Sequence, residues 1–78
     1  MPRYYFHYRI GGRLEKDLDG SNLPDDDSAV VEAAAAAREL LAAKVLKGEL
    51  VEGDVFEITT SDGKIVRTLS LRSVLKLT

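Results

Sequence analysis

The sequence predicts an α+β fold with elements in the order β-β-α-β-β: a mostly antiparallel sheet, one long helix packed on one face, and a short helical turn at the C-terminus. Three observations predict it. Residues 3–10, Arg-Tyr-Tyr-Phe-His-Tyr-Arg-Ile, alternate with the two-residue period of a strand. Residues 25–47 contain neither glycine nor proline, are rich in alanine, and open on three aspartates. Residues 55–60 and 64–71 are strand-like runs on either side of Ser61-Asp62-Gly63, a turn sequence.

In the first strand, alternation sends Tyr4, Phe6, Tyr8 and Ile10 to one face and Arg3, Tyr5, His7 and Arg9 to the other. The first set reads as core. Gly11-Gly12 suits a tight hairpin, and Arg13 to Leu18 reads as a polar returning strand at the sheet edge, where charge discourages aggregation. Asp19-Gly20-Ser21-Asn22 reads as a turn. After Leu23-Pro24, Asp25 or Asp27 can cap a helix, and aspartates suit the positive end of its dipole. The helix is expected to run to about Lys47 and stop at Gly48, roughly 22 residues or about 33 Å.

On a helical wheel Val30, Ala33, Ala34, Ala37, Leu40, Leu41 and Val45 form an apolar stripe. Short alanines let a helix sit close to a sheet, so Tyr4, Phe6 and Tyr8 are expected to fill the space against Ala33, Ala34 and Ala37. A second apolar line, Val31, Ala35, Ala42 and Leu46, runs along the opposite side. A face turned to water is usually more charged, so this line is a candidate dimer surface.

For the C-terminal hairpin, pairing Thr60 with Ile65 turns Phe56, Ile58, Ile65, Leu69 and Leu71 inward, with Arg67 at their margin. A three-residue bulged loop would instead pair Glu57 with Arg67 on the outer face. The first register buries more apolar area and is preferred. Leu71, Val74 and Leu75 recur at helical spacing and suggest a closing turn. The uncovered sheet face would then show Arg3, Tyr5, His7 and Arg9 beside Val55, Glu57, Thr59, Val66, Thr68 and Ser70.

Composition narrows the function. The 78 residues make one domain, residues 1–78, with no cysteine. A chain of this length buries only about 60 to 65% of its unfolded surface. With no disulfide or ligand-rich zinc pattern to staple it, association with another subunit is a natural source of stability. Neither a secretory-type leader nor an uncharged stretch of membrane-spanning length stands out, so a cytoplasmic protein is expected, with no membrane role. The net charge of −2 is uneven: residues 1–14 hold three arginines and no acid, while residues 15–32 hold seven acids against Lys16. Overall acidity makes nucleic acid an unlikely partner.

No motif carries chemistry. His7 is the only histidine and has no sequence-evident acid–base partner, so no catalytic residue is assigned. Asp17 to Asn22 faintly resembles a calcium loop, but the twelfth position is Ser28 where the scheme needs glutamate, and no metal or cofactor is expected. Gly11-Gly12 lacks the further glycines and lysine of a phosphate cradle. The basic-aromatic face Arg3, Tyr5, His7 and Arg9 is the candidate binding face, since aromatic stacking with cations is how sheets hold single-stranded RNA.

The opening Met-Pro-Arg-Tyr-Tyr-Phe-His, the Asp-Leu-Asp-Gly turn, Leu-Pro-Asp before the helix, and Leu-Arg-Ser-Val-Leu near the end together resemble a family of short alphaproteobacterial, largely rhizobial, proteins with a domain of unknown function. That resemblance implies a cytoplasmic bacterial protein without an assigned activity. The acidic turn and alanine-rich helix start are also loosely similar to antitoxins of the HicB type. The reading is therefore a small non-catalytic interaction module that forms a homodimer, through the outer helix line or the open sheet face, and can take a further protein partner; the alternative is a regulatory nucleic-acid-binding or antitoxin-like partner that uses Arg3, Tyr5, His7 and Arg9.

Overall fold

The structure, a computed structural model, describes residues 1–49 and 53–74. These form an antiparallel sheet of five strands with one long helix on one face. The strands are β1 (Arg3–Ile10), β2 (Arg13–Glu15), β3 (Ser21–Asn22), β4 (Val55–Thr60) and β5 (Ile65–Ser70). The helix α1 spans Asp26–Leu46, and a single 3-10 turn, Leu71–Val74, follows β5. The sheet order is β2-β1-β4-β5, with β3 also on β1. A principal extent of only 17 Å fits two layers, and among the described residues no helix lies on the sheet face opposite α1.

Both ends of α1 follow from their residues. The Asp25 carboxylate accepts the Ser28 N–H at 2.8 Å, holding Asp25 below the usual carboxylate range. At the other end Gly48 takes φ +71°, its N–H donates to Val45 O, and the Glu49 N–H reaches back to Lys44 O at 2.9 Å. This is the Schellman closure, which a left-handed glycine makes cheap.

The expected large-to-small packing is present. Tyr4 lies with Ala29, Ala33 and Ile58, Phe56 with Ala37, Leu41 and Leu71, and Phe6 touches both groups. Tyr8 packs on the second. The buried line on α1 is Ala29-Ala33-Ala37-Leu41, with Val30, Ala34 and Leu40 half-buried beside it. Two details differ from the expected stripe: Ala29 joins the core, and Val45 is 68% exposed. Burial follows every fourth residue as far as Leu41; Val45, the next step on that line, instead borders an open groove with Leu46 and Val74.

The polar edge also differs from expectation. The returning strand ends at Glu15, and Leu18 is exposed. Residues 21–22, expected to be in a turn, pair instead with Arg3 and Tyr4 as β3. Between β2 and β3 the chain leaves β1, and a side chain fills the gap, as described below.

The C-terminal hairpin adopts the preferred register over most of its length: Phe56 faces Leu69, Glu57 faces Thr68, and Ile58 faces Arg67. A bulge between Ile58 and Thr59 then brings Thr59 opposite Ile65. Ile65 consequently turns outward, half exposed, and Val66 packs on the core in its place. The cause is the turn, in which Thr60 N–H donates to Lys64 O and Gly63 N–H to Thr60 O, one residue tighter than the pairing farther in requires. Arg67 reaches the margin as expected, where it approaches Asp26 at 3.6 Å. Leu71 is buried and Val74 half-buried in the closing turn, whereas Leu75 and the linker residue Glu52 lie outside the described residues.

Candidate functional site

Two surfaces were singled out by sequence, and the structure places each intact on one side of the molecule. The first is the outer face of β1. The rings of Tyr5 and His7 stack with centroids 6.1 Å apart and planes 27° from parallel. Arg3 does not point freely into solvent: its Nε donates to Asp19 O at 2.9 Å, Nη2 donates to the same oxygen, and Nη1 donates to Asn22 Oδ1 at 3.1 Å. Arg9 is tied across the sheet to Glu57, Nε to Oε2 at 2.7 Å, which raises the arginine further above its ordinary range. Both cations of this face are thus engaged within the chain.

The residue that organises this face is Asp17. Its Oδ2 accepts the Phe6 N–H at 3.2 Å, and its Oδ1 accepts the N–H groups of Asp19 at 3.1 Å and Gly20 at 3.2 Å. The Asp17 N–H in turn donates to His7 Nδ1 at 3.0 Å. One side chain therefore supplies the acceptor that a continuous strand would have offered β1 between β2 and β3. Burial pushes the Asp17 carboxyl up, but the three backbone donors and the neighbouring His7 outweigh it and hold it below the usual range. Gly20 completes the arrangement with φ +73°: a Cβ there would lie 2.9 Å from a Tyr5 ring carbon and 3.0 Å from Tyr4 O.

Because His7 Nδ1 accepts a backbone N–H, the neutral ring carries its proton on Nε2. That ring borders a shallow groove of about 270 Å³ between Leu18 and the β4–β5 turn. Asp17 is the residue that sequence reasoning passed over. Its position three residues before a glycine, in a loop with further acceptors, resembles a faint calcium pattern, but its oxygens face backbone amides. Among the described residues no group of three or more His, Cys, Asp or Glu is placed to hold a metal.

The second surface is the outer side of α1. Val31 is 69% exposed and Leu46 88% exposed, with Ala35 and Ala42 exposed between them. Displaced Val45 adds to it. An apolar groove of about 470 Å³ runs along its C-terminal half, lined by Arg38, Leu41, Ala42, Val45, Leu46 and Val74.

The inner faces of the same elements carry ionisable groups of their own. Tyr4 Oη donates to Asp26 Oδ1 at 2.7 Å, a bond that with burial pushes the phenol up to about 12. Tyr8 Oη donates to Asp54 Oδ2 at 2.6 Å, and Lys44 Nζ meets the same oxygen at 3.2 Å. Burial, then the bond to Asp54, pushes the Tyr8 phenol well above its ordinary range. Each tyrosine ties β1 to one end of α1 or its following segment. Tyr4 and Asp26 also border an open recess of about 320 Å³, shared with Asp25, Asp27 and Arg67.

The fold and these surfaces define a small two-layer α+β domain whose exposed features are an apolar helix side and an internally paired sheet face. The chain belongs to the family DUF6894, a domain of unknown function, whose model matches residues 3–72. No curated protein matches the chain, and no solved structure does. Among the described residues no helix is long and apolar enough to cross a membrane.

Proposed function

We propose that this protein is a non-catalytic interaction module that works as a homodimer built on the outer side of α1. The observation that carries the reading is the exposure of Val31, Val45 and Leu46, each more than two-thirds open, along one side of one helix. Apolar side chains exposed singly need no explanation, whereas a line of them backed by alanines marks a contact surface. Burying Val31 and Leu46 would contribute on the order of 1.5 to 3 kcal/mol apiece. A small domain without disulfides gains from such burial.

The nucleic-acid or antitoxin-like reading draws on Arg3, Tyr5, His7 and Arg9. Pairing of Arg9 with Glu57 and of Arg3 with Asp19 O and Asn22 weighs against it, because phosphate would have to displace internal partners. A cytoplasmic bacterial setting, as the family resemblance implies, belongs to the same proposal. Light scattering on the purified chain at tens of micromolar tests it. A dimer is expected, and Ala42→Glu is expected to give a monomer with an unchanged circular dichroism spectrum. A wild-type monomer under those conditions overturns the reading.

A further inference from the structure

We infer that the second copy packs across α1 antiparallel, on a two-fold axis passing between Arg38 and Glu39. This rests on the self-association proposed above and adds its geometry. The exposed line is symmetric in sequence about that peptide: Ala35 and Ala42 lie three residues outward from Arg38 and Glu39, and Val31 and Leu46 lie seven outward. A copy turned end for end therefore sets Val31 against the partner's Leu46 and Ala35 against the partner's Ala42. Each of these four layers is apolar on apolar. Alanine at the two central layers lets helix axes approach to about 8 Å, the close end of the usual range.

Charge selects this direction over the parallel one. A parallel pair would also stack like on like, but it would gather both Asp25-Asp26-Asp27 runs and both Glu32 side chains at one end. Reversal puts the two acidic starts at opposite ends of the pair and sets the helix dipoles in opposition. Arg38 and Glu39 are both exposed, and neither takes part in an ion pair among the described residues. At the axis two of each form a neutral cluster. The groove lined by Leu41, Ala42, Val45 and Val74 then receives the partner's Val31.

The chain has no cysteine, so Ala35→Cys and Ala42→Cys each introduce a single thiol. In the reversed pair, residue 35 of one copy faces residue 42 of the other. Equivalent residues sit about 10 Å apart along the axis at 1.5 Å per residue, beyond the roughly 7 Å Cα separation a disulfide spans. After mild oxidation, a mixture of the two variants, one carrying a mass tag, is expected to give a mixed cross-linked dimer, with each variant alone giving little. Self-linking of each variant alone would overturn the antiparallel geometry in favour of a parallel pair. No link in a sample that light scattering shows to be dimeric would overturn the placement on this helix line while leaving self-association standing. A monomer by light scattering would remove the dimer altogether.

Discussion

The two sides of α1 are built from nearly the same residues and live in opposite surroundings. Ala29, Ala33, Ala37 and Leu41 are buried against the sheet, whereas Val31, Ala35, Ala42 and Leu46 are open. Hydrophobicity summed around the helix therefore says little about orientation. What decides it is what lies opposite: Tyr4, Phe56, Ile58 and Leu71 on one side, solvent on the other. An apolar helix face is a folding surface or an assembly surface according to whether its own chain supplies the partner.

The sharpest way to test the contrast is to make one deletion on both sides. Leu41→Ala, at 4% exposure, is expected to lower stability by about 2 to 5 kcal/mol. Leu46→Ala, at 88% exposure, is expected to stay within about 0.5 kcal/mol in urea melts run dilute enough to keep the chain monomeric. Equal losses would break the comparison. The reverse change gives a second, smaller contrast: Ala33→Leu overfills the contact with Tyr4 and Ile58 and costs about 1 to 3 kcal/mol, while Ala35→Leu is near neutral in the same melts.

Tyr8→Phe removes the hydroxyl donor to buried Asp54 and is expected to cost about 1 to 3 kcal/mol, with Lys44 still holding the carboxylate. Alkali acts on the same inner side. Tyr4 has a raised phenol, so the stability it lends is complete below pH 10, its unfolded value, and is lost as pH rises toward about 12. A folded state that kept its full urea midpoint to pH 12 would contradict the buried bond to Asp26.

The smallest expected effect comes from acid, on the outer side of β1. Asp17 is held below its ordinary value, so its contribution is complete above about pH 4, the unfolded value, and falls away as pH drops through the depressed folded one. The Asp17→Ala variant is expected to start less stable and to lose less between pH 5 and 2 than the wild type, as read from thermal melts. Identical acid profiles would mean the carboxylate is not the acceptor for Phe6.

Much of the architecture was legible because its signals are long and periodic. Eight alternating residues specify β1, and capping aspartates with Gly48 bracket α1. The hairpin register followed from area alone up to the bulge, but Ile65 and Val66 exchanged sides because the Thr60–Lys64 turn is set by local hydrogen bonds that no hydrophobic pattern records. The edge was harder still. β3 is two residues long and exists because Asp17 bridges the gap before it, a tertiary contact across eleven positions that leaves no period in the sequence. The outer helix line and the outer β1 face were both visible from spacing. That Arg3 and Arg9 are paired internally was not, since their acceptors come from Asp19, Asn22 and Glu57, on other segments.

The hydroxyls of Tyr4 and Tyr8 have a mechanical meaning. Methyl groups spaced every four positions along a helix make a smooth bearing that resists separation from the sheet far more than it resists sliding along it. The bonds to Asp26 at the front and to the Asp54–Lys44 pair at the rear act as end stops that fix axial position. Cutting both would let the rod creep by a turn while still covering the sheet, so what those phenols protect is alignment.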